Sequence, residues 1–82
     1  MAYSITYKKS VQKDLSRLDK REAKRILDRL EKELSLHPDT YPMLKGDYAG
    51  LRKFRMGDYR VIYTILGKEV LILRIGDRKN VY

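Results

Sequence analysis

The chain has 82 residues, enough for one domain, and we expect a single domain over residues 1–82. Lys and Arg number 19 against 11 Asp and Glu, and the net charge of +8 favours a polyanionic partner, with nucleic acid first and a membrane surface second. Because there is no Cys and a single His, the composition excludes a disulfide framework, a thiolate zinc site and a His-based metal cluster, and we expect no cofactor.

The sequence gives no sign of a membrane segment or an export signal. No stretch approaches the roughly 18 consecutive apolar residues of a membrane span. The N-terminal stretch MAYSITYKKS lacks the apolar region of a signal peptide. We therefore expect a protein of the reducing cytoplasm that does not enter membranes.

The first half of the chain predicts one strand and then two helices. Apolar and polar residues alternate over residues 3–7, which is typical of a half-buried strand. Ser10 is a candidate N-cap for a short helix whose apolar face runs from Val11 to Leu18. Asp19 can cap a second helix, in which apolar residues recur with the helical period from position 23 to position 34.

The second half predicts strands joined by tight turns. Residues 37–42 contain two prolines and end the helical region. Strand patterns follow over 51–56, 59–66 and 70–75, and the middle one is apolar enough to be buried on both faces. Since short turns join antiparallel strands, we expect an α+β fold: an N-terminal strand, a two-helix hairpin, then three to four antiparallel strands in a curved antiparallel sheet, with the helices on one face and the other face open.

Basic residues concentrate on the predicted strands and in the C-terminal tail. The strand period places Lys53 and Arg55 on one face, opposite Arg52, and the next strand brings Arg60 near them. Such a surface suits a phosphodiester backbone, and we expect Arg52, Arg55 and Lys79 to contact RNA phosphates. The alternative is that these basic residues only solubilise an open sheet face and guard its edges.

Two further residues have both a functional and a structural interpretation. Arg60 interrupts the apolar strand YRVIY, where a charge is costly unless it is used or paired with an acid such as Asp58 or Asp77. Tyr82 ends a basic tail, where it can stack on an unpaired base or pack back onto the sheet.

The remaining aromatic residues and the single His are expected to have structural roles. We expect Tyr59 and Tyr63 in the core, and Tyr41 and Tyr48 in loop or surface packing. His37 precedes a proline at a helix end, where it would serve as a C-cap.

The sequence resembles the RelE branch of the RelE/ParE toxin superfamily over nearly its full length. The resemblance rests on the opening YSITYKKSVQKDLSRLDK, the block LKGDYAGLRKFRMGDYRVIYTI and the ending LRIGDRKNVY. It implies a microbial-RNase-like fold and a toxin of a type II toxin–antitoxin pair. It also implies a metal-independent endoribonuclease that cuts mRNA in the ribosomal A site after attack by a 2′-OH.

The resemblance also assigns roles to individual residues. Lys53 looks like the lysine that manages protons at the 2′-OH, with Arg55 as its neighbouring cation. Arg60 resembles the arginine that holds the scissile phosphate. Arg78 is similar to the arginine that stabilises charge or assists the leaving group, and Tyr82 to the C-terminal tyrosine that orients the substrate base.

The implied partners are the ribosome, mRNA and an acidic, RelB-like antitoxin whose negative charge complements the net charge of +8 of this chain. We expect the toxin alone to be a monomer and to form a hetero-oligomer with the antitoxin. Asp77 and Leu51 depart from the family pattern, since many relatives carry His and some carry Lys there. Two alternatives therefore stay open: a ParE-like gyrase inhibitor that does not cut RNA, and a weakly active toxin that acts mainly as an antitoxin-bound autorepressor.

Overall fold

The elements follow the predicted order of strand, two helices and further strands in a computed structural model that describes residues 2–44 and 50–77. Within these residues the elements are β1 (Ser4–Tyr7), α1 (Lys9–Ser16), α2 (Lys20–Leu36), β2 (Arg52–Met56), β3 (Tyr59–Leu66) and β4 (Glu69–Asp77). The α+β fold class is therefore confirmed, with both helices preceding a strand-rich second half.

The described strands form one sheet in the order β1-β4-β3-β2. The strands β2, β3 and β4 are antiparallel neighbours, as their short turns predict. The expectation of a wholly antiparallel sheet is wrong at β1, which pairs parallel with β4 from Ser4↔Glu69 to Tyr7↔Ile72. No short turn joins β1 to β4. Two helices and two strands separate them along the chain, so the two strands can pair in either direction.

The helix ends differ from the expected caps in one place. The helix α1 begins at Lys9 with Lys8 as N-cap, so the prediction of Ser10 as the cap is wrong. The hydroxyl of Ser10 instead donates to the carbonyl of Leu73, at 2.8 Å, and links α1 to β4. Asp19 does occupy the N-cap of α2, although its side chain makes no capping hydrogen bond, and His37 is the C-cap.

The core lies between the helices and one face of the sheet. The buried residues on that side come from both helices and from β2, β3 and β4: Val11, Ile26, Leu30, Leu34, Phe54, Met56, Val61, Tyr63, Val70, Ile72 and Ile75. Tyr59 packs against this cluster, so the core assignment of both strand tyrosines is confirmed. Ile62 is also fully buried but lies outside this cluster, which confirms that the middle of β3 is covered on both faces.

Across residues 2–44 and 50–77, no helix is long and apolar enough to cross a membrane.

Candidate nucleic-acid interface

The hairpin of β2 and β3 sets the geometry of the basic residues. Its turn is Gly57-Asp58, in which Gly57 takes a φ of +60° that other residues adopt at a cost. The turn pairs Met56 with Tyr59, and the next pair outward is Arg55 with Arg60. The two arginines therefore stand directly opposite each other on neighbouring strands.

The three basic residues Lys53, Arg55 and Arg60 lie on the sheet face away from the helices, and we call them the cationic face. Phe54 and Met56 alternate with Lys53 and Arg55 on β2 and are only 4% and 8% exposed, so their side chains point into the core. Arg60 pairs with Arg55 from β3 and therefore shares its face. Lys53 is half-buried and Arg55 is exposed. Like charges directly opposite each other destabilise a sheet. An anion bound at Arg55 and Arg60 would therefore stabilise this part of the sheet.

The strand β4 borders the cationic face on its other side. Gly76 pairs with Arg60, and Arg74 pairs with Ile62, next to an irregularity in the register of β3 and β4. The Nε of Arg60 is itself shielded from solvent, although the residue as a whole is half-buried.

Arg52 is not brought together with the cationic face. It pairs with Tyr63 on the core side of the sheet, as the strand period requires. Its Nη1 donates to the carbonyl of Tyr41 at 2.8 Å and to that of Asp39 at 3.3 Å. Arg52 therefore fastens the segment after α2 to β2, and its expected contact with RNA stays a prediction.

The segment fastened by Arg52 lines a groove beside the cationic face. The groove holds about 270 Å³ and is lined by Tyr41, Pro42, Lys53 and Arg55; we call it the Tyr41 groove. The Lys53 N–H donates to the carbonyl of Pro42 at 3.1 Å, which fixes one wall to the other. The Tyr41 ring meets Phe54 edge-to-face, with centroids 4.9 Å apart at 73°. The groove is thus preformed on rigid elements.

The phenol of Tyr41 is not poised to act as a base. Its hydroxyl donates to Oε2 of Glu33 at 3.4 Å. Partial burial, followed by the negative charge of Glu33, raises the pKa of Tyr41 above its usual range. The group therefore remains protonated at neutral pH, and its ring is what it offers to a ligand.

The sequence interpretation missed two residues of this region. Tyr41 is expected in loop or surface packing, but it packs against the core and lines the groove, and an aromatic residue followed by proline just before a basic strand is the signal that could have found it. Asp14 received no role, yet it is 7% exposed and binds Arg74 on β4. Its position between Val11 and Leu15 on the apolar face of α1 was the available signal.

Three of the expected site residues, Arg78, Lys79 and Tyr82, lie outside the described residues, as does Tyr48, and their roles stay predictions. In the part of the chain that the structure describes, no three His, Cys, Asp or Glu side chains come together as metal ligands.

Comparison with known proteins places residues 5–82 under the family model described as ParE toxin of type II toxin-antitoxin system, parDE. None of the curated protein sequences matches the chain significantly. Among solved structures, the toxin–antitoxin complex RelBE2 from Mycobacterium tuberculosis contains a similar chain at 27% identity and a TM-score of 0.86, covering 95% of this chain and 100% of the other.

Two further structures show the same similarity. The archaeal RelE–RelB complex from Pyrococcus horikoshii matches at 30% identity and a TM-score of 0.72, over 99% of this chain and 100% of the other. A mutant of the E. coli toxin RelE in the free state matches at 17% identity and a TM-score of 0.76, over 94% of this chain and 84% of the other. At that identity the E. coli structure supports the fold alone.

Proposed function

Since the chain belongs to the ParE toxin family of type II toxin–antitoxin systems, we propose that this toxin is a ribosome-dependent mRNA endoribonuclease that cleaves at the A site. The observation that carries the proposal is the pairing of Arg55 with Arg60 across the hairpin, with Lys53 two residues away on the same face. Three cations held on rigid strands, two of them directly opposite each other, suit a substrate whose negative charge increases during reaction.

The proposed reaction is a transesterification within the RNA. The 2′-oxygen attacks the neighbouring phosphorus, the bond from phosphorus to the 5′-oxygen breaks, and the products carry a 2′,3′-cyclic phosphate and a 5′-hydroxyl. One proton is removed from the 2′-OH and one proton is delivered to the 5′-oxygen, so the reaction consumes no further reactant. Positioned cations accelerate it by stabilising the dianionic phosphorane.

Each described cation has a proposed role in this step. Arg60 holds the scissile phosphate, because it lies on β3, between β4 and β2, and directly opposite Arg55. Arg55 shares the phosphorane charge from the opposite strand. Lys53 manages the proton of the 2′-OH, a role that rests on the family resemblance and on its place two residues from Arg55 on the same sheet face.

The C-terminal tail supplies the remaining proposed groups. Arg78 would stabilise the leaving group, Tyr82 would orient a base of the substrate, and Lys79 would contact a flanking phosphate. These assignments depend on the family resemblance.

We further propose that a cognate acidic, RelB-like antitoxin binds this toxin, and that the free toxin is a monomer of the cytoplasm. The similar chains from M. tuberculosis and P. horikoshii occur in toxin–antitoxin complexes, which supports a partner of this kind. The net charge of +8 favours an acidic one.

A second candidate function is inhibition of DNA gyrase without RNA cleavage, as in the ParE branch. The specific observation in its favour is that the matching family model is the one named for ParE. A third candidate, a weakly active toxin that serves mainly as an antitoxin-bound autorepressor, is favoured by Leu51 and Asp77, which depart from the catalytic pattern of RelE toxins.

Cleavage of mRNA on programmed ribosomes, mapped by primer extension, tests the first proposal. We expect a cut within the A-site codon for the wild type, loss of at least a hundredfold in rate for Arg60→Ala, and partial retention for Arg60→Lys. The matched control is Arg25→Ala, which removes an exposed arginine of α2 that pairs with Glu22 on its own helix. It should cut like the wild type.

Two outcomes would overturn the proposal. A folded wild type that leaves mRNA intact but blocks supercoiling by gyrase would establish the ParE-like function instead. A folded wild type inactive in both assays, but able to bind operator DNA with its antitoxin, would establish the autorepressor.

A further inference from the structure

We propose that the Tyr41 groove is a nucleotide subsite that holds one base of the substrate RNA against the Tyr41 ring while Lys53 and Arg55 hold the adjoining phosphate. This inference deepens the proposed function and rests on it. It assigns a binding role to Tyr41 and Pro42, which come from the segment between α2 and β2 and not from the sheet.

The chemistry of the groove's walls defines the class of ligand. The lining residues are a tyrosine and a proline from the segment before β2 and a lysine and an arginine from β2. A flat apolar group joined to an anion matches both pairs of residues, and a nucleotide is such a group. Its volume, about 270 Å³, is below the size of pockets for drug-sized ligands and suits a single nucleotide.

The groove is held in shape before any ligand arrives. The carbonyl of Tyr41 accepts from Arg52, and the carbonyl of Pro42 accepts from the N–H of Lys53. The next residues continue the pairing, since the Leu44 N–H donates to the carbonyl of Leu51 at 2.8 Å. A ligand therefore loses little binding energy to ordering the protein.

The position of the groove joins it to the proposed cleavage site. Lys53 and Arg55 belong both to the groove and to the cationic face. An RNA strand whose scissile phosphate lies at Arg60 can therefore place a neighbouring nucleotide in the groove without leaving the basic surface. Because base stacking tolerates every base, the subsite would fix the register of the strand more than its sequence.

Binding of a 2′-O-methylated trinucleotide, which cannot be cleaved, tests the subsite independently of catalysis. Three further trinucleotides each lack one base. For the wild type, one abasic position should weaken binding about tenfold. Tyr41→Leu should weaken binding of the intact trinucleotide by a similar factor and become insensitive to that position. Tyr41→Phe, which keeps the ring, should bind like the wild type.

The matched control is Tyr3→Leu, which changes another half-buried tyrosine that packs against the core and lies outside the groove. It should bind all four trinucleotides like the wild type. Chemical shifts of the Tyr41 ring should move on titration with the intact trinucleotide and not with the abasic one.

Two results from binding would overturn the inference, and one from cleavage. Equal sensitivity of the wild type and Tyr41→Leu to every abasic position would show that the groove holds no base. Unchanged RNA binding by Tyr41→Leu together with weakened binding of an acidic antitoxin would assign the groove to the protein partner. Cleavage on ribosomes separates this inference from the proposed function, because a wild type that cuts mRNA while Tyr41→Leu cuts equally well contradicts only the subsite.

Discussion

Asp14 and Arg74 form a bidentate ion pair that ties α1 to β4. Nε of Arg74 donates to Oδ2 of Asp14 at 2.9 Å and Nη2 donates to Oδ1 at 3.2 Å. The same Oδ2 accepts the backbone N–H of Ile75 at 2.9 Å. Among the described residues, β1 pairs with β4 only as far as Ile72, and α1 bonds to the edge of β4 beyond that point, at Leu73 and Ile75.

Removing the charge of Asp14 should therefore destabilise the fold. Asp14→Asn breaks the ion pair while Arg74 stays partly buried, and we expect the free energy of unfolding to fall by about 2 kcal/mol. Urea unfolding followed by circular dichroism measures the change. Asp28→Asn, on the exposed face of α2, is the control and should shift stability by less than about 0.5 kcal/mol. Equal effects of the two variants would show that the pair contributes nothing.

The pairing of Arg55 with Arg60 predicts the opposite sign for a substitution on the cationic face. Arg55→Gln removes the repulsion between directly opposite cations, and we expect a gain in unfolding free energy of a few tenths of a kcal/mol at low salt. The gain should vanish at high salt, because added ions screen the exposed charge. Urea unfolding at two salt concentrations measures it.

The same Arg55→Gln variant should bind RNA less well. The slope of the logarithm of RNA affinity against the logarithm of salt concentration should become shallower by about one unit, since one phosphate contact is lost. Arg25→Gln, on α2, is the control and should leave the salt slope unchanged. An unchanged slope for Arg55→Gln would show that Arg55 contacts no phosphate.

For the stability of Arg55→Gln, a lower unfolding free energy than the wild type at low salt would show that Arg55 and Arg60 do not repel each other in the folded protein.

How much the sequence predicts depends on how local the deciding interactions are. The alternation on β2 placed Lys53 and Arg55 on one face because the strand period needs no knowledge of the partner strands. The tight Gly57-Asp58 turn likewise set the register that brings Arg55 opposite Arg60. These features are decided by neighbouring residues, and the structure confirms them.

The features that sequence reasoning missed depend on contacts between distant segments. The parallel pairing of β1 with β4 depends on the path of the chain through two helices, and Asp14 binds residues 60 and 61 positions away. Serine is a common N-cap residue, but the hydroxyl of Ser10 instead donates to the carbonyl of Leu73 at the edge of β4. The Tyr41 groove arises only when the segment after α2 lies against β2.

Tyr63 carries a buried hydrogen bond whose loss should be measurable. Its hydroxyl donates to the carbonyl of Pro38 at 2.6 Å, and both residues are fully buried. Tyr63→Phe leaves that carbonyl without its partner, and we expect a loss of about 1–2 kcal/mol in the free energy of unfolding. Tyr7→Phe, whose hydroxyl bonds to Glu31 in a more exposed position, is the control and should lose less. A larger loss for Tyr7→Phe would contradict this ranking.

Stability should also fall at alkaline pH through these tyrosines. Burial raises the pKa of Tyr63 above its ordinary value of 10.0, and burial together with Glu31 does the same for Tyr7. Above pH 10 the unfolded chain loses these protons while the folded chain keeps them, so the contribution is complete below pH 10 and declines as the pH rises. The decline due to Tyr63 should approach about 1.4 kcal/mol per pH unit above pH 10, and the decline due to the more exposed Tyr7 should be smaller. Urea unfolding between pH 9 and 11 should show a shallower decline for Tyr63→Phe than for the wild type, and parallel slopes would contradict the assignment.

The turn of the β2–β3 hairpin offers a test of whether its geometry serves the cationic face. At Gly57, φ is +60°, and an added Cβ would meet no other atom within 4 Å, so the cost of Gly57→Ala comes from the backbone alone. We expect about 1 kcal/mol of lost stability, and Gly57→Asn should lose less, because Asn tolerates this conformation.

If the turn fixes Arg55 opposite Arg60, Gly57→Ala should also weaken RNA binding while Gly57→Asn binds like the wild type. Gly67→Ala is the matched control, since Gly67 has a φ of +64° in the turn between β3 and β4. It should cost similar stability and leave RNA binding unchanged, and equal weakening by both alanine variants would show that general destabilisation, and not the placement of the two arginines, controls binding.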